Sequence, residues 1–297
     1  MAKALKGWWR RIGRWSPAAL LLLSGCSAVG TLNALEPHAG VRIVHDLPYA
    51  DGPRHLLDVY APKPGPRPGG APVVVFFYGG NWDSGAKADY RFVGAALARR
   101  GYLAIVPDYR VYPEVRYPGF VEDSARAVRW ARDHAADYGG DPKALFVMGH
   151  SAGAYNAAML ALDPEWLAAV EMDPVKDLRG MIGLAGPYDF LPLTSPRLKI
   201  IFGPEDQRPR TQPIAYARRE APALFLAHDD GDKVVLPRNT LRLAARMREV
   251  GGRVEEKHYG RLNHALMIGA VATPLRFLAP VFRDLTAFID AQAAAKP

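Results

Sequence analysis

Cysteine is almost absent from this chain: Cys26 is the single one in 297 residues. No intramolecular disulfide can form, and no cysteine-based metal site can be assembled. The eight histidines contain no His-x-x-x-His pair, and no acidic run has the spacing of a calcium loop. No metal and no cofactor is therefore expected. Long apolar runs are missing too. Pro17–Leu23 is the clearest near the N-terminus, and seven residues cannot span a bilayer as a helix. A basic stripe is also lacking. Of the net charge of +8, five come from Lys3, Lys6, Arg10, Arg11 and Arg14, which leaves +3 for the remainder. There Arg and Lys are scattered among Asp and Glu, so no nucleic-acid partner is expected.

What is present is an ordinary globular composition, 49% hydrophobic and 23% charged, in a length that suits one large domain or two. Strand-like runs at 41–47 and 55–60 flank a Gly52-Pro53 turn and predict a hairpin. Strands and helices then alternate. Strands are expected at 72–78, 103–107, 144–148, 180–185, 223–227 and 253–258. Helices are expected at 90–100, 121–138, 154–162, 237–250 and 275–291. Such alternation argues a mostly parallel sheet covered by helices, with an antiparallel start. Residues 163–178 and 187–220 interrupt the pattern, the second with six prolines, and read as a small lid above the strand ends.

The apolar run Ala144–Met148 ends in Gly149-His150-Ser151-Ala152-Gly153, a Gly-x-Ser-x-Gly turn leading into a helix. The glycines let the backbone reverse sharply and leave the serine at the tip. With seven serines and 28 glycines in the chain, about 0.06 such matches are expected by chance. A serine hydroxyl needs a base to take its proton, a partner to orient that base, and donors for the oxyanion. In open α/β sheets these groups gather beyond the carboxyl ends of strands. The loop after 223–227 offers Asp229, Asp230 and Asp232. The loop after 253–258 offers His264, with His258 a rival inside the strand itself. His150 and His228 read as structural. Trp82, Tyr155, Tyr188 and Phe190 are candidates for lining a substrate pocket.

Four motifs carry a family resemblance that runs from about Val41 to the C-terminus. Tyr78-Gly-Gly-Asn-Trp82 resembles a His-Gly-Gly-x-Trp loop, and Pro107-Asp-Tyr-Arg110 with Pro113 resembles an Asp-Tyr-Arg-x-x-Pro element. Gly149–Gly153 is the serine turn, and His228-Asp-Asp-Gly-Asp232-Lys-Val-Val235 resembles a His-Gly-x-x-Asp-x-x-Val acid loop. Together they are similar to the α/β-hydrolase esterases, the group of hormone-sensitive-lipase-like carboxylesterases, feruloyl and acetylxylan esterases and kynurenine formamidase. The resemblance implies an α/β-hydrolase fold, with a mostly parallel eight-stranded sheet, helices on both faces and a small lid. It also implies a serine ester hydrolase acting on small-molecule short-chain or aromatic esters. Ser151 would be the nucleophile, His264 the base and Asp232 its orienter. The backbone N–H groups of Gly80, Asn81 and Ala152 would bind the oxyanion. The resemblance further suggests that Arg110 and Asp123 pair beside the loop. Amidases, formamidases and peptidases share this fold and form the second expectation; an inactive binding protein is the third. The oligomeric state is not legible.

Residues 1–25 read as an export signal. Leu23-Ser24-Gly25-Cys26 resembles the bacterial lipoprotein cleavage box, which implies a lipid on Cys26, residues 26–40 as a tether and 41–297 as the hydrolase domain. Membrane attachment in the cell envelope follows. Ser27, standing where a retention signal places Asp, points to the outer membrane.

Overall fold

Four strands buried along their whole length define the centre of the molecule: β3 (Ala71–Phe77), β4 (Leu103–Pro107), β6 (Gly180–Leu184) and β7 (Ala223–Asp229). Their sequences are nearly continuous apolar runs because helices cover both sheet faces, leaving no solvent side. β1 (Val41–Pro48), β2 (Leu56–Pro62), β5 (Gly140–His150) and β8 (Val254–Tyr259) complete one eight-stranded sheet in the order β1-β2-β4-β3-β5-β6-β7-β8. β1 and β2 pair antiparallel, as do β2 and β4; every other pairing is parallel. The outermost strand β8 carries Glu255, Glu256, Lys257 and His258, a charge pattern that discourages pairing with another chain. This computed structural model describes residues 28–63, 65 and 69–295. The export signal at 1–25 and Cys26 lie outside the described residues.

The strand order reverses between β3 and β5, since the chain leaves β3 for β4 on one side and returns to β5 on the other. Such a switch point opens a crevice at the carboxyl ends of the strands. The loop after β3 and the turn after β5 meet there.

Three expectations need correction. The final helix begins at Val281, not 275, because Thr273–Leu275 is a separate short turn and Pro280 directly precedes the helix. The segment read as a tether is packed against the domain from residue 28 onward. Ala28–Leu35 is a helix, and its Asn33 is buried. The Asn33 side chain donates to the carbonyls of Ala88 and Asp89 and accepts from the Phe92 N–H. The buried Glu36 carboxylate accepts from the N–H and hydroxyl of Thr273. Apolar periodicity is weak in so short a helix, and two polar residues do the docking, so the sequence carried no signal for it.

Residues 163–178 do not stand over the serine. They descend beside the helix Gly119–His134, whose Arg129 donates to the Val170 carbonyl and whose Arg132 faces Asp177. The second interruption, 187–220, packs on the helix that follows the serine and lines a cavity beside Ser151 through Phe190 and Leu193. Its Thr211 carbonyl accepts from the Tyr155 hydroxyl at 2.7 Å, and Gln212 accepts from the Phe190 N–H.

Candidate active site

Ser151 sits between β5 and the helix Ala152–Leu162 with φ 55° and ψ −123°. A non-glycine residue holds such a conformation only when its surroundings impose it. Gly153 permits the turn: a Cβ there would lie 2.0 Å from the Phe77 carbonyl oxygen. The Ser151 N–H is tied to the Leu184 carbonyl, so the side chain is fixed while its oxygen faces the crevice.

The loops after β7 and β8 bring the other two candidates to it. His264 Nε2 stands 2.9 Å from Ser151 Oγ, and His264 Nδ1 stands 2.7 Å from Asp232 Oδ2. Asp232 Oδ1 accepts from the N–H groups of Val234 and Val235, which fixes the carboxylate plane. Burial pushes the Asp232 carboxyl up. The hydrogen bond and charge of His264 and the two N–H donors outweigh it, and the group is held below the usual carboxylate range. An ionised Asp232 accepts at Nδ1, so the proton there leaves Nε2 free to receive one from the serine.

The neighbouring acids are occupied elsewhere. Asp229 accepts from the Gly231 and Leu262 N–H groups and thereby shapes both loops. Asp230 pairs with His258 at 2.8 Å, and His258 also meets Glu256. His258 is therefore engaged on the outer strand. His228 is fully buried; its Nε2 donates to the Val235 carbonyl at 2.8 Å and lies 3.2 Å from Asp232 Oδ2. His150 lies under the turn, its ring 4.9 Å from that of His264, and its Nε2 donates to the His264 carbonyl.

Gly80, Asn81 and Trp82 all have positive φ, at 137°, 52° and 58°. Among the described residues, no protein acceptor pairs with the N–H of Gly80, Asn81 or Ala152. Tyr78, where the resemblance has histidine, is not idle. Its hydroxyl accepts from Arg54 and donates to Asp108, and its ring lies between Tyr90 and Tyr109. Tyr78 thus fastens the loop by its root. Asp108 and Tyr109 belong to the Asp-Tyr-Arg element, which also holds Arg110 against Asp123 through two bonds of 2.8 Å. Arg54 has no motif around it and could not have been picked out from sequence.

Two cavities flank Ser151. One, of about 530 Å³, is lined by His264, Gly80, Tyr90, Phe92 and Leu266 among others. The second, of about 320 Å³, is lined by Trp82, Ala152, Phe190, Leu193 and Arg238 among others. Trp82 and Phe190 stand in the wall of the second cavity. Tyr155 does not: it is fully buried behind Trp82, with ring centroids 5.1 Å apart. Tyr188 does not either. It is buried in the core and packs over Gly183 and Gly186, whose lack of side chains makes its space.

Sheet order, serine turn and the acid and histidine loops define an α/β-hydrolase. The chain belongs to the BD-FAE family, whose model matches residues 57–247. It is 31% identical over 220 residues to esterase LipC of Mycobacterium tuberculosis, covering 68% of this chain and 54% of that protein. It is 32% identical over 181 residues to the isoprenylcysteine alpha-carbonyl methylesterase ICME of Arabidopsis thaliana, covering 59% and 40%. The chain thus spans about half or less of these curated relatives. Among solved structures it is similar to the apo form of Thermogutta terrifontis esterase 2, with a TM-score of 0.70 and 25% identity over 88% of this chain and 98% of that one. A truncated carbohydrate esterase from gut microbiota shares the fold, with a TM-score of 0.76 and 19% identity over 88% of this chain and all of that one.

Proposed function

We propose that this protein is a serine carboxylester hydrolase for small esters of short-chain or aromatic acids. The observation that carries the reading is the unbroken relay from Ser151 Oγ to His264 at 2.9 Å and from His264 to Asp232 at 2.7 Å. Ser151 Oγ attacks the ester carbonyl carbon and passes its proton to His264 Nε2, while Asp232 stabilises the imidazolium. The carbonyl oxygen becomes an oxyanion and accepts from the N–H groups of Gly80, Asn81 and Ala152. As the intermediate collapses, the bond to the alcohol oxygen breaks and His264 returns its proton to that oxygen. Water then attacks the acyl-serine and gives a proton to His264; as that second intermediate collapses, the bond to Ser151 Oγ breaks, His264 returns the proton to Oγ, and the acid leaves. The relatives named as esterases support this reading, as do structures of Thermogutta terrifontis esterase 2 with butyrate bound and phosphonylated by sarin.

The purified chain should hydrolyse p-nitrophenyl acetate and butyrate and take up a fluorophosphonate on Ser151, and Ser151→Ala should do neither. A folded protein that turns over formyl-amide or dipeptide substrates but no ester would instead support the amidase reading. We also propose that Cys26 carries a lipid that holds the protein to the outer membrane, on the strength of the Leu23–Cys26 sequence. A Cys26→Ala variant that still incorporates labelled fatty acid would remove that proposal.

A further inference from the structure

The two cavities beside Ser151 are not equivalent with respect to the proton that must be delivered. Both touch Ser151, Asn81 and Val234. Only the larger is lined by His264, together with Leu266 and Ile268 from the helix His264–Gly269. The smaller has Ala152 and Trp82 in its wall and no contact with His264. When the C–O bond breaks, His264 Nε2 protonates the leaving oxygen, so the alcohol half of an ester must lie on the histidine side of the serine. The acyl half then lies on the other side.

From this we infer that the 530 Å³ cavity receives the alcohol half of the substrate, and that this alcohol is an apolar alkyl or aryl one instead of a sugar. The inference rests on the ester-hydrolase reading above and deepens it. Among the described residues, no Asp, Glu, Lys or Arg lines this cavity. Its lining is mostly apolar, with Leu32, Phe92, Leu266 and Ile268 prominent, and its polar side chains besides Ser151 and the two histidines are Thr31, Asn81 and Tyr90. A sugar placed there would have fewer partners than hydroxyls to bury, which opposes binding, whereas an alkyl or aryl group gains by leaving water.

Part of this wall is the helix Ala28–Leu35, which contributes Val29 and Leu32. Leu32 reaches the helix His264–Gly269, its Cδ1 standing 3.9 Å from where a Cβ on Gly269 would be. Asn33 and Glu36 hold the segment in register on the domain. Both walls fall outside the 57–247 span that the family model matches. Alcohol selectivity is thus set in part by residues outside the matched span, Leu32 foremost.

The test uses the full chain and two ester series. One keeps acetate as the acid and varies the alcohol from ethanol to 1-hexanol and 2-phenylethanol, with tetra-acetylated xylose as the sugar comparison. The other keeps ethanol and varies the acid from acetate to hexanoate. The wild-type protein should have kcat/KM at least tenfold higher for 2-phenylethyl acetate than for ethyl acetate or the sugar acetate. Leu32→Trp should lower the ratio of kcat/KM for 2-phenylethyl acetate to that for ethyl butyrate at least tenfold. Val29→Phe should act in the same direction if Leu32→Trp does not fold, with thermal unfolding as the check on both. If bulk at these positions instead shortens the acid that is accepted and leaves the alcohol ratio unchanged, the assignment of the cavities is reversed and the inference fails. If the wild-type protein turns over neither series and Ser151 takes no fluorophosphonate, the hydrolase reading fails first and takes the inference with it.

Discussion

The Tyr109 hydroxyl donates to the Tyr78 carbonyl oxygen over 2.7 Å, and so ties the loop after β4 to the residue that precedes Gly79 and Gly80. Both groups are buried. Tyr109→Phe removes the donor, keeps the ring stacked on Tyr78, and leaves a buried carbonyl without a partner. That costs about 1–3 kcal/mol of stability. Because the freed carbonyl adjoins the loop proposed to bind the oxyanion, kcat should fall, by roughly tenfold, with little change in KM. Chemical denaturation and steady-state kinetics on p-nitrophenyl butyrate measure the two effects. Normal kcat in a destabilised variant would limit Tyr109 to a structural role.

Close approach makes a sharper prediction at Gly79. A Cβ there would lie 2.9 Å from the Ser151 Cβ and 3.2 Å from His150 Nδ1. No rotamer change relieves the first contact, because Ser151 is fixed by its backbone. Gly79→Ala should push the loop and the serine apart and lower kcat by about 100-fold or more, the scale of losing an oxyanion donor. Gly260 is the control. A Cβ there meets nothing within 4 Å, so Gly260→Ala should keep wild-type rates. Full activity in Gly79→Ala would show that the loop is not held against the serine in solution.

These two cases show why some of the site was readable in the sequence and some was not. Ser151 and Asp232 lie after apolar strands and His264 after the charged edge strand β8, all in segments whose order along the chain points to one strand-end site. The motif singles out Asp232 over Asp229 and Asp230, and of the three only its carboxylate lies within hydrogen-bond distance of His264 Nδ1. The pocket was less legible. Tyr155 and Tyr188 have the composition of wall residues, yet whether an aromatic faces a cavity or the core depends on one helix rotation or one loop bend. The helix Ala28–Leu35 was illegible for a different reason: it is held by the buried polar pair Asn33 and Glu36, whose partners are 55 to 237 residues away. No local period encodes such contacts.

Lys87 anchors the antiparallel edge of the sheet to this site. Its Nζ lies 2.6 Å from an oxygen of Asp46 and 2.6 Å from one of Asp58, and its N–H donates to Asp108. Lys87 and Asp58 are both buried. Lys87→Met keeps the volume of the stem but leaves the buried Asp58 carboxylate without its cation at Oδ1, with His45 Nδ1 at 2.9 Å and the Asp46 N–H at 3.1 Å as remaining partners. Breaking a buried pair in this one-sided way destabilises by about 3–5 kcal/mol. Asp46 is mostly exposed, so Asp46→Asn should change little by comparison. Urea midpoints for the two variants decide the matter. Equal, small shifts in both would mean that water reaches Asp58 once Lys87 is gone.

His150 predicts how stability depends on pH. Burial, with the nearby His264 charge adding to it, holds its imidazole down to about 3 from an ordinary 6.5. Its Nε2 donates to the His264 carbonyl, and its Nδ1 is buried without a partner. As pH falls through about 6.5 the unfolded chain protonates this histidine, while the folded protein does not until about 3. Over that window the unfolded state binds more protons, so stability present above pH 6.5 is lost steadily toward pH 3. His228 acts in the same direction, since burial lowers it as well. Asp232 adds a further loss at the acid end, because its folded carboxyl titrates below the usual range. His150→Asn removes a group that the unfolded chain can protonate. Its unfolding free energy should therefore fall less steeply than the wild type between pH 6.5 and 4, whatever its value at pH 8. Denaturation curves at four pH values measure both slopes, and parallel slopes would mean that His150 gains its proton as readily folded as unfolded.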